Sequence, residues 1–180
     1  MHVCPTGAIS EVEHPIGQIS ADHHEATSLV YGTLALKETM APPLIQQVRA
    51  EQRVDKINII DAPPGTACSL MSAISHVDYI ILVTEPTPFG LNDLKLAVEA
   101  VRLFDTPMGI VINRSDIGDN KVLEYAGKEK IPVLLEIPFS MDIARAYSCG
   151  KPIVDILPSW KEKFQGVFDQ IKQQLEQERE

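Results

Sequence analysis

Ile110-Val111-Ile112-Asn113-Arg114-Ser115-Asp116 is an apolar run that stops abruptly at an amide, a guanidinium and a carboxylate. Nearly all apolar and short, it reads as a strand covered on both faces, spanning Met108–Ile112. Three more runs share its texture: Ile57–Ile60, Tyr79–Thr84 and Val133–Ile137. Helical segments are predicted between and around them, near 42–53, 67–76, 90–104, 119–129 and 141–148. Within 90–104, Leu91, Leu94, Val98, Val101 and Leu103 form a wide apolar stripe. Strands alternating with helices in this way predict an α/β fold, a parallel sheet with helices on both faces.

The flanks read differently. Residues 16–20 and 27–36 alternate loosely between polar and apolar, which predicts a small antiparallel β segment near the N-terminus, with Ala21-Asp22-His23-His24-Glu25 as its connection. His23 and His24 are adjacent and would diverge on a strand, which argues against a metal site there. From Pro158 to Glu180 the chain predicts one amphipathic helix: Trp160, Phe164, Val167, Phe168, Ile171 and Leu175 keep helical spacing, and Pro158 suits a first turn. Its basic residues, Lys161, Lys163, Lys172 and Arg179, are outnumbered by Glu162, Asp169, Glu176, Glu178 and Glu180. The helix is therefore expected on the domain's own flank rather than on an anionic membrane surface.

Composition bounds the function. The chain has 180 residues, 44% hydrophobic and 23% charged, enough for one domain with a sizeable core. Sixteen Lys+Arg against 25 Asp+Glu give a net charge of −9, which argues against a nucleic-acid-binding module. No apolar run approaches the ~20 residues of a membrane span. Met1-His2-Val3-Cys4-Pro5 lacks the basic start and apolar stretch of a secretory signal. Three widely separated cysteines, Cys4, Cys68 and Cys149, make no disulfide framework, so a reducing cytoplasm is the expected setting.

In open parallel sheets ligands bind beyond the carboxyl ends of the strands, and four such ends carry unusual residues. Ile59-Ile60-Asp61-Ala62-Pro63-Pro64-Gly65-Thr66 delivers an aspartate into a rigid turn. There Asp61 can order a Mg²⁺-bound water, and Gly65 can bring a backbone N–H close to a terminal phosphate. A plain helix cap followed by a loop is the other reading. Asn113-Arg114 can offer an amide to a purine edge and a planar guanidinium to stack on it, although asparagine at a strand end is also a common turn residue. Glu136-Ile137-Pro138-Phe139-Ser140 ends a strand at a proline, with Ser140 able to cap the next helix. Val83-Thr84-Glu85-Pro86-Thr87-Pro88-Phe89-Gly90 is a rigid strand-to-helix loop. The convergence of all four on one sheet edge outweighs any one of them.

Asp61–Thr66, Val83–Gly90, Asn113-Arg114 and Ile137-Pro138 occur in the order found in the MinD/ParA/Mrp group of deviant P-loop ATPases, which the chain resembles over roughly residues 41–157. It also resembles the wider cobyrinic acid a,c-diamide synthase (CbiA/CobQ) superfamily. Ser148-Cys149-Gly150-Lys151-Pro152-Ile153-Val154 looks like that family's Gly-x-Pro segment. Thr84–Gly90 is closer still to a subgroup with an inserted ferredoxin-like domain, and Cys4-Pro5-Thr6-Gly7-Ala8-Ile9 looks like the end of a ferredoxin cluster motif.

The resemblance implies a P-loop NTPase-like but incomplete domain at 11–157, preceded by a ferredoxin remnant at 1–10 and followed by the helix at 158–180. No Gly-x-x-x-x-Gly-Lys-[Ser/Thr] occurs in the sequence. The chain is therefore expected to be the C-terminal part of a longer protein, lacking that family's first strand and phosphate loop. It further implies ATP and Mg²⁺ bound between two protomers and work linked to redox or iron–sulfur partners. Asp61 and Gly65 would serve catalysis, with Asp61 holding Mg²⁺ through water. Asn113, Arg114, Pro138 and Phe139 would meet the adenine, Asp93 would serve the dimer interface, and Cys4 would ligate a [4Fe–4S] cluster in the full-length protein. Alone, the chain is expected to be inactive in hydrolysis. Three alternatives are a GTPase in which Asp116 pairs with guanine, a non-catalytic dimerisation or scaffold module, and an amidotransferase-type synthetase lacking its glutaminase domain.

Overall fold

The computed structural model describes residue 8, residues 12–65 and residues 68–177. It divides into two compact units, 1–73 and 74–180.

In the first unit, β1 (Gly17–His24) and β2 (Thr27–Leu34) pair antiparallel, from Gly17 opposite Leu34 to His24 opposite Thr27. The hairpin is longer than its sequence pattern predicts. Residues 21–24 do not form the connection; each finds a partner on β2, and the loop shrinks to Glu25-Ala26. Glu25 adopts the left-handed conformation (φ 50°) that tight two-residue hairpin loops demand. The ring Nδ1 of His23 lies 3.0 Å from Ser28 Oγ, a cross-strand bond that helps hold the extended register. Pro42 opens α1 (Pro42–Ala50), whose buried Leu44 packs with Val48 over Gly32 of β2.

The predicted strand Ile57–Ile60 is absent: these residues are in no ladder, and Ile57 and Ile59 are 69% and 92% exposed. The reason is local. Asn58 closes a turn, donating its amide to the carbonyls of Arg53 and Lys56 while its Oδ1 accepts from Arg53 N–H. Apolar texture without a pairing edge does not make a strand. α2 spans Cys68–Ile74.

The second unit contains β3 (Ile80–Thr84), α3 (Pro88–Arg102), β4 (Met108–Asn113), α4 (Lys121–Glu129), β5 (Val133–Ile137), α5 (Met141–Ser148), α6 (Ile153–Ile156) and α7 (Ser159–Gln177). The three strands are parallel in the order β3-β4-β5. Among the described residues the parallel sheet expected from the sequence thus has three strands, not four. Side chains of β4 alternate between two cores, as a strand covered on both faces requires. Ile110 and Ile112 face Leu94 and Val98 of α3 and Val122 and Ala126 of α4. Val111, with Leu134 of β5, faces Val167 and Ile171 of α7, so the C-terminal helix covers the opposite side. Tyr79 ties this face to α7 through a hydrogen bond from its hydroxyl to Gln174.

Two helix starts are set by caps. Thr87 Oγ1 accepts from Gly90 N–H at 3.0 Å, moving the start of α3 two residues upstream of the expected position 90, to Pro88. Ser140 Oγ caps α5 from Ile143 N–H. The short α6, which the sequence reading passes over, begins directly after Pro152.

The sheet has two unlike edges. β5 carries the exposed Glu136 and lies between Pro132 and Pro138, features that discourage edge pairing. Over Tyr79–Thr84 the β3 edge has neither charge nor proline, and Ile81 and Val83 are 46% and 67% exposed.

Candidate functional site

The carboxyl ends of β3, β4 and β5 converge on one edge of the second unit. Asn113 closes β4 in register with Ile137 of β5, which delivers Pro138 and Phe139 immediately beyond. Arg114 leaves the strand in the left-handed conformation (φ 50°), and its Nε reaches Glu85 Oε1 of the β3 loop at 3.5 Å. Both side chains are solvent-accessible, so this pair orients the guanidinium more than it stabilises the fold, contributing about 0–1 kcal/mol. Ser115 N–H donates to Ile137 O at 3.0 Å, and Asp116 Oδ1 accepts from Phe139 N–H at 2.6 Å.

Gly118 completes the assembly. A Cβ built there would lie 1.7 Å from the Pro86 carbonyl oxygen, so only glycine lets this loop lie against the loop after β3. Beyond it, Lys121 Nζ sits 2.6 Å from Asp119 Oδ2 at the start of α4. That hydrogen bond holds the Asp119 carboxyl below its ordinary value and raises the Lys121 ammonium above its own.

The structure brings Asn113, Arg114, Pro138 and Phe139 into one cluster, with Asn113 half-buried, Arg114 solvent-exposed and Phe139 45% exposed. An amide, a planar cation and an aromatic ring suit a flat heterocycle with hydrogen-bonding edges. Sequence reasoning missed three members of this edge. The sequence alone shows Glu85 only as part of a rigid loop, offers Asp116 only as a guanine reader, and gives Gly118 no role. A glycine two residues after a strand-end aspartate was the available signal for the third.

Asp61 and Gly65 belong to the first unit. Asp61 is exposed at the end of the unpaired Ile57–Ile60 segment. Gly65 has φ 96°, a conformation that other residues rarely adopt, and a Cβ there would meet no atom of the described residues within 4 Å. One carboxylate in a stiff turn fits Mg²⁺ held through water, since that ion keeps several waters and takes further ligands from nucleotide phosphates. Among the described residues no group of three or more His, Cys, Asp or Glu could hold a metal ion by itself. Cys4 lies outside the described residues; Cys68 and Cys149 are exposed free thiols. Asp93 is exposed on α3. No described helix is long and apolar enough to cross a membrane.

The site thus belongs to a three-layered α/β unit with a polar and aromatic strand-end cluster. No family model matches the chain. It is similar to an uncharacterized protein of Methanocaldococcus jannaschii, 30% identical over 138 residues that cover 76% of this chain and 48% of that protein. It is also similar to proteins named iron-sulfur cluster carrier protein. The one from Rickettsia bellii is 29% identical over 133 residues (71% of this chain, 42% of that protein), and the one from M. jannaschii is 28% identical over 138 residues (68% and 48%). The chain spans about half the length of the curated relatives it matches.

Proposed function

We propose that this chain is the C-terminal portion of a MinD/Mrp-type ATP-binding protein whose work is linked to iron–sulfur clusters. The observation that carries the reading is the joining of Asn113-Arg114 and Pro138-Phe139 at the carboxyl edge of a parallel sheet. Similarity to iron–sulfur cluster carriers supports the cluster-linked side of it.

In this reading the Asn113 amide pairs with the adenine edge and the Arg114 guanidinium lies over the ring, leaving Glu85 as it does so. The Pro138-Phe139 main chain borders the base. By the family resemblance Asp61 would hold Mg²⁺ through water, and the Gly65 N–H would serve a terminal phosphate. Mg²⁺, when bound, neutralises charge on the phosphates. Hydrolysis also needs a cationic phosphate cradle, and the sequence has no Gly-rich loop with its lysine. The chain alone therefore binds without appreciable turnover. The described residues do not by themselves make a cluster site, so a [4Fe–4S] group would take Cys4 together with ligands from beyond them. Nucleotide and a second protomer are the partners this reading implies.

Equilibrium titration of the full chain with a fluorescent ATP analogue and Mg²⁺ tests it, with GTP as competitor. Saturable binding that ATP displaces better than GTP, and that Asn113→Ala weakens about tenfold through loss of a buried polar contact, is the expected result. Absence of binding at millimolar ATP would replace the proposal with the non-catalytic dimerisation module.

A further inference from the structure

The loop between β4 and α4 grips both of its neighbours. On one side Gly118 lies against the Pro86 carbonyl more closely than any Cβ would permit. On the other, Ser115 N–H bonds Ile137 O, and Asp116 Oδ1 accepts the Phe139 N–H at 2.6 Å. This N–H is the first main-chain donor after β5, because Pro138 has none. A carboxylate acceptor at that distance makes a short, charge-assisted bond, among the stronger hydrogen bonds that a protein surface offers.

We infer that Asp116 is a positioning residue of the strand-end site: its carboxylate fixes the Phe139 main chain, and with it Pro138, beside Asn113 where the base lies. The inference rests on the nucleotide reading of this edge. It gives Asp116 a different task from pairing with guanine. Reading both N1–H and N2–H of that base takes a carboxylate presented edge-on by both oxygens, whereas Oδ1 here is turned to main chain. Asp116 acts through Phe139 and is not itself a catalytic residue.

Amide hydrogen exchange followed by NMR on the full chain tests this, using wild type, Asp116→Asn and Asp116→Ala, with ATP affinity measured on the same samples. Without nucleotide, Phe139 should exchange about tenfold faster in Asp116→Ala. Asp116→Asn keeps an acceptor oxygen and should fall between the two, and protection at Ile110–Ile112 should be unchanged, showing an intact sheet. ATP affinity should fall about tenfold in Asp116→Ala and recover in part in Asp116→Asn. Unchanged Phe139 exchange in Asp116→Ala overturns the positioning role whether or not nucleotide binds. Faster exchange with unaltered ATP affinity overturns it as well, because the turn then does not serve the base. A wild-type chain that binds no ATP fails the proposed function and this inference with it; faster Phe139 exchange in Asp116→Ala would then mark Asp116 as a structural anchor alone.

Discussion

Two apolar pentapeptides in this protein each deliver a polar residue to a turn. Gly109-Ile110-Val111-Ile112-Asn113 is hydrogen-bonded on both sides in the middle of a sheet, with Ile110 0% and Ile112 2% exposed. Ile57-Asn58-Ile59-Ile60-Asp61 pairs with nothing, and two of its isoleucines stand in solvent. Hydrophobicity is alike in the two; what differs is the neighbourhood. β4 has an edge on each side and a helical layer above and below, whereas Asn58 is fastened into a turn with Arg53. A strand is a property of its partners at least as much as of its own residues. The same contrast separates two candidate residues: Asn113 is held by a ladder, and Asp61 stands exposed in a turn outside any ladder.

The contrast is sharpest in the cores. Ile110→Ala should cost about 2–5 kcal/mol by leaving a cavity, whereas Ile59→Ala should change stability by no more than about 0.5 kcal/mol. Urea unfolding of both variants measures this, and equal losses would break the comparison. The two loops give the next largest difference. Gly118→Ala forces a methyl group into the Pro86 carbonyl and should cost about 1–3 kcal/mol. Gly65→Ala meets no atom of the described residues and should cost about 1 kcal/mol, from its positive φ. Thermal melts of the pair decide between steric and conformational cost. A smaller effect comes from the cap that fixes the loop after β3: Thr87→Ala should lose about 1 kcal/mol, with Thr87→Ser retaining most of it.

The smallest effect is electrostatic and lies in the first unit. The hydrogen bond from His14 to Glu38, at 2.7 Å, holds the Glu38 carboxyl below its ordinary value of 4.5. A depressed carboxylate binds fewer protons folded than unfolded, so its contribution is present above about pH 4.5 and is lost as pH falls through the folded value. Removing the partner with His14→Ala should flatten the acid limb of stability, read from urea midpoints between pH 6 and pH 3. The difference should be slight, as both groups are near solvent.

Much of the second unit is legible in the sequence because each of its signals is redundant. The strands of Tyr79–Thr84, Met108–Ile112 and Val133–Ile137 are short and apolar, the helix stripes are wide, and Thr87 and Ser140 sit where caps belong. The first unit is legible only in kind. Its hairpin was expected, but the pairing of Asp22, His23 and His24 depends on partners ten or fewer residues away that no local pattern reveals. At the site, Asn113, Arg114, Pro138 and Phe139 can be picked out as residues at strand ends. The Arg114–Glu85 pair and the Asp116–Phe139 bond cannot, because they join loops separated by 23 residues or more in the chain and depend on sheet order.

The placement of α7 has a consequence for how the protein is made. One side of the sheet is lined by α3 and α4, segments translated among the strands themselves. The other side is closed by Val167 and Ile171, which follow all three strands in the chain and so leave the ribosome after them. During synthesis the sheet can therefore settle against its first layer while Val111, Leu134 and Tyr79 wait uncovered. A nascent chain stalled before Val167 would hold a formed sheet with one wet face, an opening to which a chaperone could bind and which translation of α7 removes.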